Sequence, residues 1–92
     1  MAWQHGCMAT ITIRYWAGAR DAAGVETDVV EAPTVAAALD RAAAARPGDA
    51  EYARVIGLCS FLVDGRRLGD ADRTRPLTGP VELEALPPFA GG

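Results

Sequence analysis

The first clear pattern along the chain is an alternation. In Thr10-Ile11-Thr12-Ile13-Arg14-Tyr15-Trp16, Ile11, Ile13 and Tyr15 share one face and polar residues mainly occupy the other. That is the period of a strand half-buried in a sheet. Ala17 to Ala23 is small and helix-tolerant, and Gly24 stops it, which predicts a short helical turn. Val25-Glu26-Thr27-Asp28-Val29-Val30-Glu31 alternates less cleanly and predicts a second strand near a sheet edge. Pro33-Thr34 then opens a helix, because a threonine hydroxyl accepts from the unpaired N–H groups of a first turn. Val35, Ala38, Leu39, Ala42 and Ala43 recur at helical spacing, with Asp40, Arg41 and Arg46 pointing outward. The alanines favour helix and let it lie close to a sheet. Pro47-Gly48 ends this helix, and a second short helical segment is expected from Ala50 to Ile56.

Leu58-Cys59-Ser60-Phe61-Leu62-Val63 is short and nearly continuously apolar, as in a strand covered on both faces. Asp64-Gly65 follows, a hairpin signal because a type I′ turn needs positive φ at both central positions. Arg66-Arg67-Leu68 is the expected return strand, and Gly69 to Pro80 is polar and turn-rich. Val81-Glu82-Leu83-Glu84-Ala85-Leu86 is the last strand, with Val81, Leu83 and Ala85 inward and the glutamates outward. This order predicts an α+β domain: a mixed sheet of about five strands with one main helix packed across a face. The β-grasp, or ubiquitin-like roll, is one of a few arrangements that fit.

Composition narrows the class. A chain of 92 residues with 50% hydrophobic content suits a single domain. The patterning divides it into an extension (1–8), a folded domain (9–86) and a tail (87–92). Net charge is −3, every basic residue is an arginine, and Arg66-Arg67 is the only adjacent pair. A nucleic-acid binder carries a clustered basic patch, whereas a mildly acidic body suits a basic protein partner. Cys7 and Cys59 match no zinc or redox spacing. Cys59, inside an apolar run, reads as a small buried hydrophobe; Cys7 in the extension is assigned no role. No apolar run reaches the roughly 18 residues of a membrane span. Met1 to Cys7 lacks the basic region and apolar stretch of a signal peptide, so the expected compartment is the cytoplasm.

Enzymatic machinery of its own is not expected. His5 is the only histidine and lies in the extension, leaving the domain without a Ser–His–Asp or Cys–His set. Two cysteines are too few for the four ligands of a ferredoxin-type iron–sulfur cluster. Asp70 and Asp72 lie in a polar loop and read as solvated rather than metal-binding.

The end of the chain carries the chemistry. In Leu86-Pro87-Pro88-Phe89-Ala90-Gly91-Gly92 two prolines stop the strand, since neither has an N–H to continue a ladder. They also favour an extended exit, and residues 87–92 can reach on the order of 20 Å. Glycines let a partner's tunnel close around bare backbone, and Phe89 is better suited to partner contact than to the core. An α-carboxyl has a pKa of roughly 3.3–3.7 and is ionised at neutral pH. It is then a poor electrophile until a mixed anhydride with AMP supplies a leaving group. Sulfur replacing that group gives a thiocarboxylate, itself a sulfur nucleophile.

On these residues the sequence resembles the MoaD/ThiS family of ubiquitin-like sulfur carriers. It resembles the molybdopterin synthase small-subunit type more than the thiazole type. The matching segments are Ile13 to Arg20 with Ala23-Gly24, Pro33-Thr34-Val35, Val63-Asp64-Gly65 and Leu86 to Gly92. The resemblance implies a β-grasp fold and no bound cofactor, with ATP consumed by a partner. A ubiquitin-activating-type adenylyltransferase would activate Gly92, and a sulfurtransferase or cysteine desulfurase system would supply sulfur. The molybdopterin synthase large subunit would receive the tail, where sulfur passes to cyclic pyranopterin monophosphate. Gly92 is then the sulfur bearer, Gly91, Ala90, Phe89, Pro88 and Pro87 are docking residues, and Phe61 is the candidate for an apolar patch beside the tail. The extension with Trp3, His5 and Cys7 lies outside the family pattern.

Three other readings stay open. A carrier for thiazole, cysteine or tRNA thiolation shares the tail and differs in partner. A protein modifier joined to lysines also fits Gly91-Gly92, although a chain without lysine cannot build lysine-linked polymers of itself. A binding module with an inert tail would work through a sheet edge or the Phe61-Leu62 region.

Overall fold

The opening alternation becomes β1 (Ala9–Tyr15), buried at every second residue, in a computed structural model that describes residues 8–88. It is followed by α1 (Ala17–Ala23), closed by Gly24 at φ 81°, and by β2 (Thr27–Ala32). Next come α2 (Val35–Ala44), α3 (Ala50–Leu58), β3 (Ser60–Val63) and the two-residue β4 (Arg66–Arg67). A 3₁₀ helix (Asp70–Thr74) leads to β5 (Val81–Leu86). The sheet order is β2-β1-β5-β3-β4. β1 and β5 run parallel at its centre, and the other neighbouring pairs are antiparallel. This is the expected α+β roll, with a mixed sheet and helices packed across one face.

Local chemistry accounts for these elements. The Thr34 hydroxyl accepts from the Ala37 N–H at 3.1 Å, the N-cap expected from sequence. α2 buries Val35, Ala38 and Ala42; Ala43 is exposed, one residue off the inward stripe. The Asp49 carboxylate caps α3, accepting from the Tyr52 N–H at 2.9 Å. α3 runs to Leu58, where the Cys59 N–H donates to the Ile56 carbonyl, so Leu58 belongs to the helix and not to the following strand. Asp64 and Gly65 have φ of 49° and 85°, as a type I′ turn requires. Asp64 is held there by β5: its N–H donates to the Glu82 carbonyl, and its carboxylate accepts the Glu82 N–H, both at 2.9 Å.

The core lies between the sheet and the helices. Ile11, Ile13 and Leu83 are fully buried on the central strands, against Ala19, Ala38 and Val35 from the helices. Cys59 is buried, as read from the sequence, and its thiol donates to the Val55 carbonyl; burial raises its pKa. A polar cluster sits beneath the helices. The Tyr15 and Tyr52 hydroxyls are 2.8 Å apart, and Tyr15 also donates to Asp28 at 2.7 Å. The Arg46 guanidinium pairs with Asp28 at 2.8 Å and lies 4.4 Å from the Tyr52 ring centre. The sequence placed Arg46 outward. It instead turns inward, drawn by Asp28 and two aromatic faces, because it lies beyond the last turn of α2, where helical periodicity no longer governs direction.

Candidate functional site

The parallel pairing of β1 with β5 decides where the tail leaves. Tyr15 is level with Ala85, and the Trp16 N–H donates to the Ala85 carbonyl at 3.2 Å. On the other side Ser60 is opposite Leu86. The end of the sheet's middle strand is therefore held from both sides, Ala85 by β1 and Leu86 by β3. Beyond it Pro87 is half-buried and Pro88 exposed, so the chain leaves the sheet at the proline pair. Phe89, Ala90, Gly91 and Gly92 lie outside the described residues.

Two exposed apolar side chains flank this exit. Trp16 is 43% exposed and Leu58 is 57% exposed. Trp16 follows the last residue of β1, and Leu58 ends α3 two residues before Ser60. Neither was singled out from sequence. Trp16 was readable, since the alternation puts it opposite Tyr15 on the face away from the helices; Leu58 was hidden inside an apolar run. The Arg14 guanidinium lies 6.0 Å from the Trp16 ring centre and pairs with Glu82 at 3.1 Å. Both partners are more than a third exposed, so the pair contributes little to stability.

Phe61 is not the surface residue that the sequence suggests. It is 3% exposed and belongs to the core, with the Arg73 guanidinium 5.2 Å from its ring centre. β3 alternates, so Leu62 takes the outer face and Phe61 the inner one; the ring does not form a surface patch. Among the described residues no group of three or more His, Cys, Asp or Glu side chains is placed to hold a metal ion. The Asp72 carboxylate accepts from the Gly69 N–H at 3.3 Å and lies 3.4 Å from Arg75, a loop-capping role. No described helix is long and apolar enough to cross a membrane.

No protein-family model matches the chain, and no curated protein matches it at a significant level. Solved structures do. The solution structure of small archaeal modifier protein 1 from Methanosarcina acetivorans is 22% identical, with a TM-score of 0.76 over 95% of this chain and 100% of that one. Small archaeal modifier protein 1 from Haloferax volcanii is 26% identical, with a TM-score of 0.73 over 91% of this chain and 100% of that one. A chain from the complex of subunits 1 and 2 of molybdopterin-converting factor from Helicobacter pylori is 18% identical. Its TM-score is 0.61 over 90% of this chain and 99% of that one. The fold of this chain is the ubiquitin-like β-grasp, shared with archaeal modifier proteins and with molybdopterin-converting factor.

Proposed function

We propose that this chain is a ubiquitin-like sulfur carrier of the molybdopterin synthase small-subunit type, with Gly92 as the sulfur-bearing residue. One observation carries the reading: the middle strand of a β-grasp sheet ends at Leu86 against Pro87-Pro88, directly ahead of Phe89-Ala90-Gly91-Gly92. In the proposed cycle an adenylyltransferase joins the Gly92 carboxylate to AMP and releases pyrophosphate from ATP. The terminal sulfur of a persulfide on a sulfurtransferase or cysteine desulfurase system displaces AMP to give an acyl disulfide. A second thiol of that system then forms a disulfide with the donor sulfur, releasing the thiocarboxylate. The molybdopterin synthase large subunit then takes the tail, and the thiocarboxylate sulfur attacks cyclic pyranopterin monophosphate. Pro87 and Pro88 limit the tail's conformations before docking, and Trp16 and Leu58 give the partner an apolar foothold beside the exit. The chain supplies an oriented handle, while bond-making belongs to its partners.

The pathway is tested by mixing thiocarboxylated protein with the large subunit and the pterin precursor. Appearance of the dithiolene product, with stoichiometric return of the carboxylate form, is the expected result. A thiocarboxylate left intact in a competent synthase contradicts the assignment to this pathway.

A second reading has its own support. The Haloferax modifier protein is both more similar in sequence and better superimposed than the Helicobacter chain. In that reading the adenylated Gly92 is captured by a lysine amine of another protein. Gly-Gly remnants on target lysines after proteolysis are its expected signature.

A further inference from the structure

We propose that the groove between β4, the 3₁₀ helix and the start of α2 docks an extended, acidic segment of a partner protein that carries an aliphatic side chain. The groove encloses about 450 Å³. Its apolar lining comes from Val35, Val63 and Leu77; Arg66, opposite Val63, and Arg75 border it on that face, and Arg67, opposite Leu62, borders it along the sheet edge. Arg66 and Arg67 are exposed and, among the described residues, no acidic side chain pairs with them. Asp72 is the groove's acidic residue and already meets Arg75 and the Gly69 N–H. Neighbouring Asp64 does not line the groove, and its carboxylate accepts from the Glu82 N–H. A chain of net charge −3 thus presents a local cationic rim around an apolar floor.

The backbone beside the groove offers a second contact. β4 is the edge of the sheet. The Leu68 N–H donates to the Phe61 carbonyl at 3.0 Å, and Arg67 is opposite Leu62. By the alternation of an antiparallel ladder, Arg67 therefore directs its N–H and C=O away from β3. An extended segment can pair with that edge. Its carboxylates would then meet the arginine rim, and an aliphatic side chain would enter the cavity. Charge complementarity selects an acidic partner, and the apolar floor argues against a bare anion. The groove lies at the end of β3 and β4 away from the tail exit, so this contact is independent of sulfur carriage.

The test is an NMR titration of the ¹⁵N-labelled full chain with a synthetic peptide of alternating glutamate and leucine. Expected are shifts at Val35, Val63, Arg66, Arg67, Leu68 and Leu77, with binding weakened about tenfold when Arg66→Glu and Arg67→Glu are combined. Both positions are exposed on a hairpin, and retained amide dispersion confirms that the variant folds. Removing Gly92 leaves affinity unchanged, which separates this site from the tail. The proposal is overturned by any of four results. These are no binding up to about 1 mM, shifts centred on Trp16 and Leu58, unaltered affinity in the double variant, and equal binding of an all-glutamate peptide or inorganic phosphate.

Discussion

The Arg46 side chain ties several elements together. It pairs with Asp28 on β2, lies over the rings of Tyr52 and Tyr15, and donates to the carbonyls of Ala23 and Ala42. Burial alone would lower its pKa, but the hydrogen bond to Asp28 and the surrounding groups carry it above the ordinary value. Arg46→Met keeps much of the apolar stem but leaves Asp28 without its ion pair. The expected cost is about 2–3 kcal/mol in urea unfolding, below that of a fully buried pair because both groups retain some exposure. The two tyrosines give a pH signature. Burial raises the Tyr15 pKa strongly, with help from its hydrogen bonds to Tyr52 and Asp28, and burial raises Tyr52 as well. Above pH about 10 an unfolded tyrosine ionises while the folded Tyr15 keeps its proton. The Tyr15 contribution is complete below that pH and is lost above it, by up to about 1.4 kcal/mol per pH unit, and Tyr52 acts in the same direction. Denaturant midpoints between pH 9 and 11 check this, and Tyr52→Phe should make the decline shallower.

Among the elements, the hairpin at Asp64-Gly65 was the most legible, because positive φ at two adjacent positions restricts residue choice so strongly. Gly65→Val forces a β-branched residue into φ 85° and should cost about 2 kcal/mol by chemical denaturation. β5 was also readable, since Val81, Leu83 and Ala85 alternate with Glu82 and Glu84. α3 was harder: its Asp49 cap follows the Pro47-Gly48 break directly, and its last turn runs into the apolar stretch that reads as strand. That is why Leu58 emerges as an exposed residue at the helix end and Phe61 as a core residue. If Leu58 and Trp16 form the foothold beside the tail, Leu58→Asp weakens association with the synthase large subunit about tenfold. Stability should shift by less than about 0.5 kcal/mol. Calorimetric titration against that partner, paired with a melting curve, separates the two effects.

At the scale of the whole molecule, fold and chemistry were read from different kinds of signal. Periodicity and turn residues delivered the α+β roll, because each strand and helix buries one face. The proposed reactive end came from residue types alone: prolines that stop a strand, then residues that shrink toward Gly92. The flanking Trp16 and Leu58 needed the parallel β1–β5 pairing and the β3 register, contacts between residues far apart in the chain. The account separates a stable body from a chemically active end. Removal of Gly92 should therefore leave the melting temperature within about 1 °C while abolishing sulfur loading.

The most direct measurement is the intact mass of the protein after incubation with ATP, a competent activating enzyme and a sulfur donor. The account predicts a gain equal to one sulfur replacing one oxygen, located on the fragment ending in Gly92 and absent from the variant lacking that residue. An unchanged mass, or sulfur found on Cys59 instead, contradicts it.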